Sequence, residues 1–154
     1  MNAKQLDELI KQMDETAQVF HRCLQEETSA LAASDSDSLN TITRQKQDLA
    51  QTLEAQEQNR VALLAAAHMP TEAQQLLSLL QAQGLQNTAG RWQTMLENLQ
   101  ACKALNEKNG EIIQQRCKQL NQTINLLFSP PEKNVYSGEP LEKPLFSGQL
   151  LGSA

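Results

Sequence analysis

The sequence predicts an all-α fold: an elongated antiparallel helical bundle of three long helices plus one short helix, followed by a disordered C-terminal tail. Three observations carry this. Apolar residues recur at spacings of three and four through most of the chain, the period of a helix with one buried stripe. Aromatic residues make up only 3% against 40% apolar, so the core is built from Leu, Ile and Ala, as helical assemblies are. Asn and Gln together make up about a fifth of the residues, a composition that suits solvated helix faces better than a closed catalytic pocket.

The first helix opens at Asn2, whose capping side chain pairs with Gln5 three residues on. Its stripe runs through Leu6, Leu9, Met13, Thr16, Phe20, Cys23 and Ala30, and it ends near SDSDS. In that acidic loop Ser36 or Asp37 is placed to cap a second helix, with a face of Leu39, Ile42, Lys46, Leu49, Leu53, Gln56, Arg60 and Leu63. So short a connection favours antiparallel neighbours. Pro70 stops the second helix. Thr71 with Gln74 reads as a capping box opening a short third helix, EAQQLLSLLQAQ, which Gly84 closes. The fourth helix starts at Asn87 or Thr88 and runs to Phe128, where Ser129-Pro130-Pro131 forbids continuation. Residues 1–128 are therefore read as the bundle. Residues 129–154 are read as a flexible tail, because they hold four of the five prolines and three of the six glycines. That tail also contains Tyr136, Leu145, Phe146, Leu150 and Leu151, which solubility alone does not require.

Charge narrows the partners. The formal net charge is -5 and the pI about 5.0, so no nucleic acid is expected. Acidic groups dominate the first 34 residues and basic ones the segment 91–128, which suggests that the first helix lies beside the last. The carboxylate pairs Asp7-Glu8, Asp14-Glu15 and Glu26-Glu27 read as a solvated stripe. Three cysteines without a CxxC pair fit a reducing compartment, the cytoplasm. The longest apolar run, VALLAAA at 61–67, is too short to span a membrane, and MNAKQLDEL lacks the apolar stretch of a signal peptide, so no membrane insertion is expected. Neither histidine falls in a ligand or nucleophile motif, so no metal, cofactor or catalytic residue is assigned and the chain is read as a non-enzyme. Trp92, Met13 and Met95 are expected in the core, with Cys102 and Cys117 packing as small apolar groups.

The fourth helix holds the unusual feature. On a 3.5-residue repeat one seam position carries Leu96, Lys103, Gly110, Cys117 and Ile124; the other carries Trp92, Leu99, Asn106, Ile113, Leu120 and Leu127. Both ends are apolar, and the middle contains Asn106, Asn109 and Gly110. An interior Gly requires either close backbone approach or a tolerated weak point. A seam Asn fixes register because its amide must find a partner. The trio thus reads as a helix-crossing device, and the apolar stripe beyond it either completes the bundle or receives an incoming amphipathic segment.

LNEKNGEII at 105–113, preceded by RWQTML at 91–96 and followed by NVYSGEP at 134–140, resembles the flagellar type III export chaperones of the FlgN type. TRQKQDLAQTLEAQEQNR at 43–60 is similar to the family's second-helix segment. Ser137 stands where the family pattern often has Gly directly after Tyr, and the closing LFSGQLLGSA has no counterpart in it. The resemblance implies a cytoplasmic chaperone that holds the helical C-terminal segments of hook-filament junction proteins and delivers them to the flagellar export gate. By analogy Ile113, Cys117, Leu120, Ile124 and Leu127 form the client groove. Tyr136 corresponds to the family tyrosine that engages the gate; folding back onto the bundle is the other use for a tail aromatic. A self-associating coiled-coil adaptor, with a homodimer covering the stripe, is the competing expectation.

Overall fold

A computed structural model describes residues 2–128. Four helices appear in chain order: α1 (Ala3–Ala33), α2 (Ser36–Ala66), α3 (Ala73–Ala82) and α4 (Gln86–Phe128). The expected all-α class, with three long helices and one short, is what the described residues form. At 1.5 Å per residue the 31-residue α1 and α2 are each about 46 Å long, and the 43-residue α4 about 64 Å. No helix among the described residues is long and apolar enough to cross a membrane.

The ends of the helices follow local chemistry, with four shifts from expectation, one being that α2 ends at Ala66, ahead of a left-handed His68 at φ 55°, and not at Pro70. Asn2 caps α1 and Gln5 reaches back to the Asn2 amide, as the sequence implies. Ser34 closes α1 in the left-handed region at φ 53°. That turn spends one residue and leaves Asp35, rather than Ser36 or Asp37, as the cap of α2; its carboxylate accepts from the Ser38 amide at 3.1 Å and the Ser38 hydroxyl at 2.6 Å. These bonds hold the Asp35 carboxyl below its ordinary range. Glu72, not Thr71, caps α3 by accepting from the Gln74 amide, and Gly84 closes it at φ 73°, where an L side chain is disfavoured. Helix α4 begins at Gln86, ahead of Asn87 and Thr88, because the Leu85 carbonyl already accepts from the Ala89 amide. The Thr88 hydroxyl donates instead to Asp7.

Helix α1 packs against both α2 and α4, and α3 packs against α4. Cross-helix bonds give the directions. Gln56 to Thr16 and Lys46 to Glu27 run in opposite order along α2 and α1, so these two are antiparallel. Thr88 to Asp7, Asn98 to Asp14, Cys102 to the Ala17 carbonyl and Asn109 to the Leu24 carbonyl run in the same order, so α1 and α4 are parallel. The chain goes up, down and up again, with α3 making the last reversal at the lower end. The expected neighbourhood of acidic first helix and basic last helix is realised by the Arg91–Asp7 ion pair at 3.5 Å.

The main core lies at the lower end, where Leu6, Ile10, Leu64, Leu76, Leu80 and Trp92 are buried together with Met13 and Met95. The Trp92 indole N–H donates to the Ala73 carbonyl at 3.0 Å, and the buried Arg60 guanidinium stacks on the ring at 4.9 Å. Arg60 also holds Glu57 through two charge-assisted bonds of 2.7 and 2.6 Å. Leu63, assigned to the inner face of α2, is exposed and Leu64, four residues after the buried Arg60, replaces it in the core with Leu76, Leu80 and Trp92. Higher up, Phe20, Leu24 and Cys102 form a second, smaller cluster. Burial pushes the Cys102 thiol up to about 11, so it packs there as a neutral group.

Candidate functional site

Two features of α4 define the candidate site: a buried polar layer, and an apolar stripe beyond it. The layer is built from all three long helices. Lys46 of α2 donates to both Glu27 carboxylate oxygens of α1, at 3.1 and 3.3 Å, and to the Asn106 side-chain carbonyl of α4 at 2.8 Å. The Asn109 amide nitrogen donates to the Leu24 carbonyl at 3.0 Å and to Glu27 at 2.9 Å, while its oxygen accepts from the Thr28 hydroxyl at 2.8 Å. All of Asn109's side-chain hydrogen-bonding capacity is thereby engaged except one acceptor lone pair, which fixes its orientation. Glu27 and Asn109 are both 0% exposed. The expectation that Glu26-Glu27 lies on a solvated stripe is therefore corrected for Glu27: it sits between Lys46 and Asn109, and only the Glu26 member of the pair faces water. Asp7 and Asp14 likewise turn toward α4, leaving Glu8 and Glu15 outside.

Gly110 stands beside this layer but is not needed for it. A Cβ placed there would meet nothing within 4 Å, so close backbone approach is ruled out and the weak-point reading remains. The predicted seam is also corrected in one of its two rows. Trp92 is buried, and Leu99 and Asn106 are half-buried, as assigned. The second row, however, is buried at Thr88, Met95, Cys102 and Asn109; of its assigned members Leu96 is half-buried against the core, whereas Lys103 is exposed. The sequence pattern alone did not separate these alternatives, since each lies one residue from the other. Packing does, because Cys102 and a fully bonded Asn109 can be enclosed where Lys103 cannot.

That one-residue shift matters above Asn109. The row from Thr88 to Asn109 continues to Arg116 and Thr123, which are exposed, whereas the row from Trp92 to Asn106 continues to Ile113, Leu120 and Leu127, with Cys117 and Ile124 beside it. The stripe therefore continues the bundle-facing side of α4. Asn109 is the last buried residue of the helix. Ile113, Cys117 and Ile124 are half-buried, and Leu120, Leu126, Leu127 and Phe128 are exposed at 40, 66, 73 and 83%. Contacting pairs along α1 and α4 differ in number by 81 to 85, so the last residue of α1, Ala33, is level with about residue 116 of α4. From there α4 projects past the end of the α1–α2 hairpin.

Among the described residues no group of three or more His, Cys, Asp or Glu is placed to hold a metal ion. An open cleft of about 780 Å³ lies between α1 and α2 near the hairpin tip, bordered by Arg22, Glu26, Asp35, Asp37 and Gln45. Its lining mixes these polar groups with Ala30, Ala33 and Ile42. Tyr136, the expected docking residue, lies outside the described residues. The sequence model of the family described as FlgN protein matches residues 1–140. No curated protein and no solved structure matches the chain.

Proposed function

The chain belongs to the FlgN family, which makes it a flagellar export chaperone, and from that premise we propose that it binds the helical C-terminal segments of hook-filament junction proteins on the α4 stripe. The observation that supports this is the part of α4 above Asn109, whose end projects past the hairpin. Ile113, Cys117, Leu120, Ile124 and Leu127 share one face, none is buried, and the helix extends beyond the hairpin that covers its other half. An amphipathic client segment laid along that face would bury its own apolar side chains together with these. Each Leu or Ile fully buried contributes about 1.5–3 kcal/mol, without a nucleotide or a covalent step. The same contact keeps the client from premature association. In this reading Asn106 and Asn109, with Gly110 beside them, set the register that ends the bundle and begins the client half.

Delivery to the export gate is assigned to Tyr136 in the tail that follows, an aromatic in a segment containing Pro and Gly, suited to a short docking motif. The chaperone works in the cytoplasm, where its clients are made, with the bundle at 1–128 and the tail at 129–154 as separate working parts. The client reading is tested by replacing Leu120 and Ile124 together with Ala and titrating a helical C-terminal fragment of a junction protein by calorimetry. Capture is expected to weaken by about tenfold or more, from roughly 1–2 kcal/mol per truncated contact, with far-UV circular dichroism still helical. Unchanged capture by a folded variant would remove the assignment.

A further inference from the structure

Residues 141–154, LEKPLFSGQLLGSA, lie outside the span matched by the family and hold five large apolar side chains: Leu141, Leu145, Phe146, Leu150 and Leu151. Among the described residues one large apolar face is left without cover, the stripe on α4 from Ile113 to Leu127. We propose that residues 141–154 are the resident occupant of that stripe when no client is bound, so that a client must displace the chain's own extension. This rests on the reading of the stripe as the client face.

Reach permits it. The intervening segment 129–140 starts where the stripe ends, at Phe128, and Pro130-Pro131 prevent it from prolonging the helix. Extended, that segment spans about 40 Å, whereas the helix from Gly110 to Phe128 is roughly 28 Å long. The extension can therefore lie anywhere along the stripe. Spacing agrees as well. The pairs Leu145-Phe146 and Leu150-Leu151 are five residues apart, about 16 Å in an extended chain, close to the roughly 16 Å rise from Ile113 to Ile124. Tethering also favours this occupant over a second copy. Covalent attachment through a short connecting segment gives an effective concentration in the millimolar range, whereas a second copy has only its solution concentration. Pro144, Gly148 and Gly152 disfavour a helical extension, so it makes a poorer cover than an amphipathic helix and yields to one.

The test uses the full chain and a full-length variant carrying Leu145→Ser, Phe146→Ser, Leu150→Ser and Leu151→Ser. Two readouts are taken: amide hydrogen exchange of residues 110–128 without client, and calorimetric affinity for the helical C-terminal fragment of a junction protein. The variant is expected to exchange faster in 110–128 and to bind the fragment about tenfold more tightly, because the competing occupant is gone. Equal exchange and equal affinity in the two proteins would overturn the proposal. So would protection of 110–128 that rises with protein concentration, since a second copy would then be the cover. If exchange differs while the fragment binds neither protein, the client reading fails and the self-cover stands.

Discussion

Lys46 touches α1 through Glu27 and α4 through Asn106, so one side chain of α2 ties the three long helices at a single level. A carboxylate enclosed without a cation is costly, and removing one partner of a buried pair typically costs about 3–5 kcal/mol because the other is stranded. Lys46→Met is therefore expected to destabilise the bundle by about that amount, read as a lower urea midpoint. The double variant Lys46→Met with Glu27→Gln is expected to recover much of the loss, since a neutral amide can remain bonded to Asn109. A double variant no better than the single would show that the ion pair is not the source of the effect. At this scale the sequence marked part of the layer. Asn106 and Asn109 stood out because polar side chains interrupt an apolar seam, and Lys46 fell on the predicted inner face of α2. Glu27 did not stand out: it belongs to a carboxylate pair on an acidic helix, and only a lysine and an asparagine brought from 19 and 82 residues away make its burial tolerable.

Helix α4 is divided by its own pattern. Below Asn109 the inward rows include Trp92, Met95, Leu99 and Cys102; above it the Trp92 row continues as Ile113, Leu120 and Leu127, while the Met95 row ends in the exposed Arg116 and Thr123. Gly110 sits at the junction. Because a Cβ there meets nothing and the backbone is helical, Gly110→Ala is expected to stabilise the helix by about 0.5–1 kcal/mol. The gain is checked as a raised urea midpoint with client capture unchanged. A loss of stability would mean that the junction needs the flexibility of glycine. The four helices were legible from period, caps and breakers, and the other bounds shifted by one or two residues, but α2 ends at Ala66, short of Pro70, where His68 turns into the left-handed region. The buried width of α1 was less legible. Ile10, Ala17, Leu24 and Leu31 join its predicted stripe, because this helix packs against two neighbours and one stripe serves only one of them.

For the whole molecule, the long fourth helix sets the outline: a packed lower part containing α3 and the Trp92 core, and an upper α4 that stands past the hairpin. An apolar face of this kind serves a client or another copy of the chain, and mass tells the two apart. Light scattering after size exclusion is expected to give a monomer that forms a one-to-one complex with the junction-protein fragment. A tight dimer indifferent to the fragment would support the self-associating adaptor instead. By itself the sequence determined the all-α class, the number and order of the helices and roughly where they break, because periodicity, capping and proline geometry act over a few neighbouring residues. It also placed the apolar stripe beyond Asn109. Only the tertiary structure decided that α1 is the central helix, that Glu27 is enclosed and that the end of α4 outruns the hairpin. Those outcomes depend on how far α4 outruns α1 and on which of two adjacent rows faces inward, and both are set by contacts between residues some 80 positions apart.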